Sequence, residues 1–156
     1  MFRLIVLLAA VVCVRGTQNT TTVISCTRTQ APLPLHTYVE GCIDPPCRLP
    51  QGQDAVVHII FRAPRNIISM STEATAFLGI LPIPYNLGEH SHTCNFLENS
   101  YCPLLEGEVI KYTLRMFIDP NFPAGTNVNV EFRVEDEVKR PIFCLRTGVS
   151  IVAPVN

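Results

Sequence analysis

The chain has 156 residues, room for one domain and hardly for two. A hydrophobic fraction of 47% with only 16% charged residues excludes a disordered chain, which would be polar and charged. Twelve basic against thirteen acidic side chains leave no basic excess with which to hold nucleic acid.

Taken in chain order, Met1-Phe2-Arg3 is a short basic start, residues 4–14 are an apolar run, and Val14-Arg15-Gly16 closes it with residues that suit a signal peptidase. Residues 1–16 therefore read as a secretory signal peptide, too short to span a bilayer. Cleavage leaves a domain of residues 17–156 with 10 basic and 13 acidic side chains, a formal charge of −3. No later apolar run approaches the roughly 20 residues of a membrane helix. The mature chain is expected to be soluble and extracellular, with the lysosome lumen as the alternative compartment.

Of seven cysteines, Cys13 leaves with the signal and six remain: Cys26, Cys42, Cys47, Cys94, Cys102 and Cys144. An even number in an oxidising route reads as disulfides. Spacing alone does not choose among about fifteen pairings. Cys42 and Cys47 enclose a small turn-like loop, Cys94 and Cys102 could close a second, and Cys26 and Cys144 stand near the two ends. Paired metal-ligand spacing of the CxxC or HxxxH kind is absent, so no metal is expected. Asn19-Thr20-Thr21 is the single N-glycosylation sequon, expected on a frayed end.

Period-two patterning dominates the rest. Strands are expected near residues 23–28, 37–41, 55–61, 67–80, 109–118, 127–135 and 142–152. The clearest is 127–135, with Val128, Val130, Phe132 and Val134 on one face and Asn129, Glu131, Arg133 and Glu135 on the other. In the strand over 109–118, Ile110, Tyr112, Leu114, Met116 and Ile118 alternate with polar residues. Turn signals separate these runs, and no stretch has strong helical periodicity. About seven short antiparallel strands describe an all-β sandwich. From Leu81 to about Gly107 no regular pattern is visible, and the apolar stretch Ile80-Leu81-Pro82-Ile83-Pro84-Tyr85 at its entrance is either tucked into the core or a mouth or docking surface.

A search for chemistry finds no GxSxG, no HExxH and no phosphate-cradling glycine loop. With the cysteines read as disulfides, no thiol nucleophile remains. Glu89-His90-Ser91-His92 reads as a solvated loop, dispensable for binding, and His58 as an outward strand residue. No enzyme activity and no cofactor are expected. The inward apolar rows can fill a core or line a cavity; pattern alone does not distinguish the two.

Several residues in fixed order carry a family resemblance. Cys42-Ile43-Asp44-Pro45-Pro46-Cys47, Gly52-Gln53 opening an apolar strand to Phe61, Gly79 to Tyr85 with its prolines, Cys102-Pro103, Phe122-Pro123, Glu131-Phe132 and Phe143-Cys144 together resemble the Niemann-Pick type C2 family of the ML (lipid-recognition) domain, in an arthropod-like form. The resemblance implies pairings Cys26–Cys144, Cys42–Cys47 and Cys94–Cys102. It implies a seven-stranded immunoglobulin-like sandwich whose sheets part around a hydrophobic ligand. By position it assigns the cavity wall to Val57, Leu78, Ile83, Tyr85, Met116, Ile118, Phe122, Pro123, Val128, Val130 and Phe132.

The resulting expectation is a secreted, monomeric, non-enzymatic carrier of a fatty acid, sterol or long-chain semiochemical, with Tyr85 or Tyr101 near the mouth to meet the ligand's polar end. A membrane receptor is the further partner, docking at Ile80, Leu81, Pro82 and Ile83. The alternatives are endolysosomal sterol transfer, innate-immune recognition of bacterial lipid, and an adhesive sandwich with a filled core.

Overall fold

The computed structural model describes residues 18–155, so the expected signal peptide lies outside the described residues. Among the described residues eight strands are formed: β1 (His36–Val39), β2 (Cys47–Pro50), β3 (Asp54–Arg62), β4 (Met70–Leu78), β5 (Leu81–Tyr85), β6 (Val109–Phe117), β7 (Asn127–Asp136) and β8 (Pro141–Val152). They make two sheets, one ordered β1-β3-β6 and the other β2-β8-β7-β4-β5. The sheets pack face to face in an immunoglobulin-like sandwich. Alternation decides which side chains meet in the middle: β6 buries Ile110, Tyr112, Leu114 and Met116, and β7 buries Val130, Phe132 and Val134. Phe61 of the first sheet and Phe143 of the second join the layers with ring centroids 5.1 Å apart. In the same core the Tyr112 hydroxyl bonds to that of Thr72 at 2.8 Å, and Thr72 in turn to Thr93 at 2.7 Å. Burial, only partly offset by these hydroxyls, pushes the Tyr112 phenol up to about 12.

The structure differs from the pattern-based expectation at three elements. Residues 23–28 form no strand: Ile24 makes a single bridge to Arg146 and its side chain is exposed. The polar residues Ser25 and Thr27 leave this segment no inner apolar row to bury. A four-residue strand, β2, was not expected; it pairs in parallel with β8, so the sheets are not wholly antiparallel. The third difference is β5, which lies inside the stretch that shows no pattern. It turns back on β4 through Gly79-Ile80, where Gly79 supplies the positive φ (61°) that such a two-residue turn needs at its first central place. Pro82 and Pro84 hid it, because proline is read as a strand breaker; β5 is an edge strand, and an edge tolerates them. The remainder of that stretch is two 3-10 turns, Gly88–Ser91 and Thr93–Phe96, and a loop.

Three disulfides lock this frame. Cys26–Cys144 ties the N-terminal segment to β8, Cys42–Cys47 closes the loop ahead of β2, and Cys94–Cys102 closes the loop after the second 3-10 turn. The N-terminal segment is not frayed. Thr21 is 1% exposed: its amide bonds to the Thr37 carbonyl at 2.8 Å, and its hydroxyl donates to the Cys42 carbonyl and accepts from the Val39 amide.

At the end of β7, where the chain enters the β7–β8 turn, Asp136 is buried among donors. Its carboxylate accepts the Val138 and Arg140 amides at 3.1 and 2.9 Å and the side chains of Arg65 and Arg140 at 2.8 and 2.9 Å. Burial alone would raise this group, but the four donors outweigh it and hold it down at about 2. A depressed carboxylate stabilises the fold above its unfolded value near 3.8, and that contribution fades as pH falls toward 2. Asp136→Ala is expected to lower unfolding free energy by about 3 kcal/mol near neutrality. Urea titrations at a series of pH values should show the gap to the parent protein closing between pH 4 and 2, at about the two pKa values.

Candidate functional site

Between the sheets, at the end where β4 turns into β5 and β6 leaves toward β7, lies a cavity of about 320 Å³. Its wall is built from both sheets. β4 gives Ala76 and Leu78, β5 Ile83 and Tyr85, β6 Met116, β7 Val128 and Val130, and β8 Val149 and Ile151. The β6–β7 connection adds Ile118, Phe122, Pro123 and Thr126. Apart from the Thr126 hydroxyl and the Tyr85 phenol, no lining side chain can form a conventional hydrogen bond, so the site offers apolar contact rather than chemistry.

Nine of the eleven residues assigned from sequence lie on this wall; Val57 and Phe132 do not. Val57 pairs with Leu114 and Val39, and Phe132 with Ala74 and Leu145. Both are 2% exposed and lie in the packed core, Val57 two residues along β3 from Ala55 and Phe132 two residues along β7 from the wall residue Val130. Ala76, Thr126, Val149 and Ile151 were missed. Val149 and Ile151 lie on one face of β8 and carried the alternation that would have found them; Ala76 is small and Thr126 polar, and neither gives an apolar signal.

Tyr85 spans the two layers. Its hydroxyl donates to the carbonyl of Phe117 on β6, and its ring stands 5.9 Å from that of Phe122. Burial, followed by the charge of Asp119, pushes the phenol up. Tyr101 is 80% exposed and outside the wall, in the Cys94–Cys102 loop. Around the mouth the apolar rim is open to solvent: Ile80 at the turn is 93% exposed, and Leu78, Leu81, Ile83 and Phe122 are exposed beside it, with Pro82 half-buried.

The other sequence candidates stand away from the cavity. Glu89 and His90 lie in the first 3-10 turn, where the His90 ring packs 4.3 Å from Phe96; His92 bridges to Ser71. His58, on the outer face of β3, bonds to Glu40 at 2.7 Å and Thr113 at 3.2 Å. Among the described residues, one group has metal-ligand proximity: Cys26, Glu131 and Cys144. Its sulfurs are joined to each other, and Glu131 accepts from the amide and hydroxyl of Thr27 and from Arg146, so it offers no free ligand set. Burial acts against that carboxylate, but these donors hold it below the usual range.

Comparison with known proteins agrees with this architecture. Residues 20–151 match the family model described as the ML domain. Two proteins called NPC intracellular cholesterol transporter 2 align with the chain: the zebrafish (Danio rerio) protein at 23% identity over 116 residues, 73% of this chain and 74% of that one, and the mouse (Mus musculus) protein at 24% over 115 residues, 74% of each. The crystal structure of a Niemann-Pick type C2 protein from the Japanese carpenter ant superposes with a TM-score of 0.69 at 17% identity, covering 83% of this chain and 98% of that one. Among the described residues no helix is long and apolar enough to cross a membrane.

Proposed function

Since the chain belongs to the ML-domain family, we propose that it is a secreted, non-enzymatic carrier that holds one hydrophobic lipid between its two sheets, with a fatty acid or similar long-chain semiochemical as first ligand. The observation that carries this reading is the wall of the cavity: thirteen lining residues, nine from the two sheets and four from the β6–β7 connection, of which two bear a hydroxyl and none a charge. Affinity would come from apolar area removed from water, at roughly 25 cal/mol per Å² less the cost of ordering. A volume of about 320 Å³ is at the small end of the usual range for ligand sites, and favours a slim flexible chain over a rigid ring system. The exposed rim from Leu78 to Ile83 gives cargo an apolar surface on which to enter and leave, at a membrane or a membrane-bound receptor.

The cholesterol transporters among its relatives support a second reading, sterol transfer in the endolysosomal lumen. Native mass spectrometry of the protein from a secretory host, followed by lipid extraction, decides between them. The carrier reading expects one lipid per chain, and an acyl chain rather than a sterol. A protein without bound lipid that takes up neither added fatty acid nor added sterol would overturn both.

Tyr85, besides its place on the wall, then has a second role. Its hydroxyl is committed to the Phe117 carbonyl and fastens the edge of one sheet to the edge of the other beside the mouth. Tyr85→Phe is expected to cost only about 1 kcal/mol of stability, to leave equilibrium affinity for a long-chain lipid within about threefold, or 0.65 kcal/mol, and to speed lipid release several-fold. Stopped-flow displacement of a fluorescent fatty acid measures the rate directly.

A further inference from the structure

A second concavity, of about 250 Å³, lies on the outer face of the three-stranded sheet and is separate from the lipid cavity. Ladder pairing builds it: Tyr38, His58 and Thr113 stand in one outward row, and His36, Ile60 and Lys111 in the next. Ile60 is a half-buried apolar floor between polar neighbours. The Tyr38 and His58 rings lie nearly parallel, 14° apart in tilt with centroids at 6.2 Å, and form a flat shelf. Glu98 closes one side. Apolar floor, flat rings and polar walls suit a ring that is apolar on its faces and hydroxylated at its edges, which is the description of a pyranose.

Asn19 is part of this concavity, at its rim. It is exposed, and the two residues after it are fixed: the Thr20 hydroxyl bonds to His36 at 2.9 Å, and Thr21 is the buried pin described above. Asn19-Thr20-Thr21 is also the chain's single sequon. We infer that Asn19 carries an N-linked glycan whose first sugars lie in this groove over Ile60, against the Tyr38–His58 shelf. The inference rests on the proposed secretory route. In the transfer, the Asn19 amide nitrogen bonds to the anomeric carbon of a polyisoprenyl-diphosphate-linked oligosaccharide. The sugar–phosphate C–O bond breaks, the lipid diphosphate leaves with its oxygen, and one amide proton goes to solvent. Transfer must precede docking of the segment, because a transferase has to reach the Thr21 hydroxyl, and folding buries it.

The chain has two lysines, Lys111 in the groove and Lys139 at the β7–β8 turn, and their side chains report on the glycan. The full chain is expressed in a eukaryotic secretory host, and the protein in the medium is digested with an N-glycosidase and mapped by peptide mass. Conversion of Asn19 to Asp on glycan release is expected, and its absence from secreted Asn19→Gln protein. Acylation of Lys111 should be several-fold slower before digestion than after, with Lys139 unchanged. Secreted protein unmodified at Asn19 overturns the inference and leaves the secretory route standing. Glycosylated protein whose Lys111 reacts equally before and after digestion overturns the groove assignment. A chain kept inside the cell without a glycan overturns the secretory reading together with the inference.

Discussion

Ile118→Trp is expected to lower affinity for a long-chain fatty acid by more than tenfold, at least about 1.4 kcal/mol, while the apo protein melts close to the parent. Ile118 is 3% exposed, yet its side chain faces the cavity rather than a packed neighbour on every side. An indole at this place takes up ligand volume. In a filled core the same change would overpack and cost about 1–3 kcal/mol of stability. The two outcomes therefore separate the cavity from a solid sandwich in one variant. Arg115→Ala, on the outward face of β6 and exposed, is the matched control and should alter neither quantity. A strongly lowered melting temperature for Ile118→Trp, with affinity intact in the folded fraction, would sink the carrier reading.

Removing the Cys26–Cys144 bridge by paired alanine substitution should lower unfolding free energy by about 5 kcal/mol, the largest effect of any single cross-link. In the chain-entropy view a bridge stabilises by restricting the unfolded chain, and the effect grows with the loop closed. The separation is 118 residues here against 5 for Cys42–Cys47 and 8 for Cys94–Cys102. The same relation gives about 2 and about 2.5 kcal/mol for the two short loops. Guanidinium unfolding of the three paired variants tests the order. If loss of Cys26–Cys144 cost no more than loss of a short bridge, the denatured chain would have to be far from a free coil, or the N-terminal segment would have to be held mainly by other means. Those other means exist: Glu131 receives Thr27 and Arg146 beside the bridge, and Arg28 and Arg146 both stand over the Phe77 ring, 5.4 and 4.8 Å from its centroid.

Fold class was legible because β6 buries one face, and β7 keeps its apolar side chains on one face and its polar ones on the other even though Glu131 and Glu135 are themselves buried; both strands therefore alternate strictly. The same signal placed Met116, Ile118, Val128 and Val130 inward, but their place on a cavity wall, and the rest of the wall expected from sequence, came from the family resemblance, since an inward residue either fills the gap or lines it. It did not carry depth. Phe132 and Val130 are equivalent in pattern, and the distance between the sheets at each level, which decides which of them faces open space, depends on every neighbour at once. Short elements were the other loss. β2 has four residues and ends in proline, and β5 is five residues with two prolines, so neither has enough positions for a period to show. The pinning of Thr21 was invisible for a further reason: a threonine that caps a distant strand leaves no mark on its own neighbours in sequence.

The prolines of β5 bear on how this molecule behaves toward copies of itself. Leu78 and Leu81 flank the turn as a pair, so Pro82 and Pro84 fall at the alternate positions, where an ordinary residue would aim its N–H away from β4. An open strand beside a greasy opening is a template on which another chain could add, amide to carbonyl, and grow a polymer. Here two of the donors such an addition would use do not exist. The rim from Leu78 to Ile83 can thus stay apolar and uncovered, ready for cargo, at a place where most sequences would invite fibril growth.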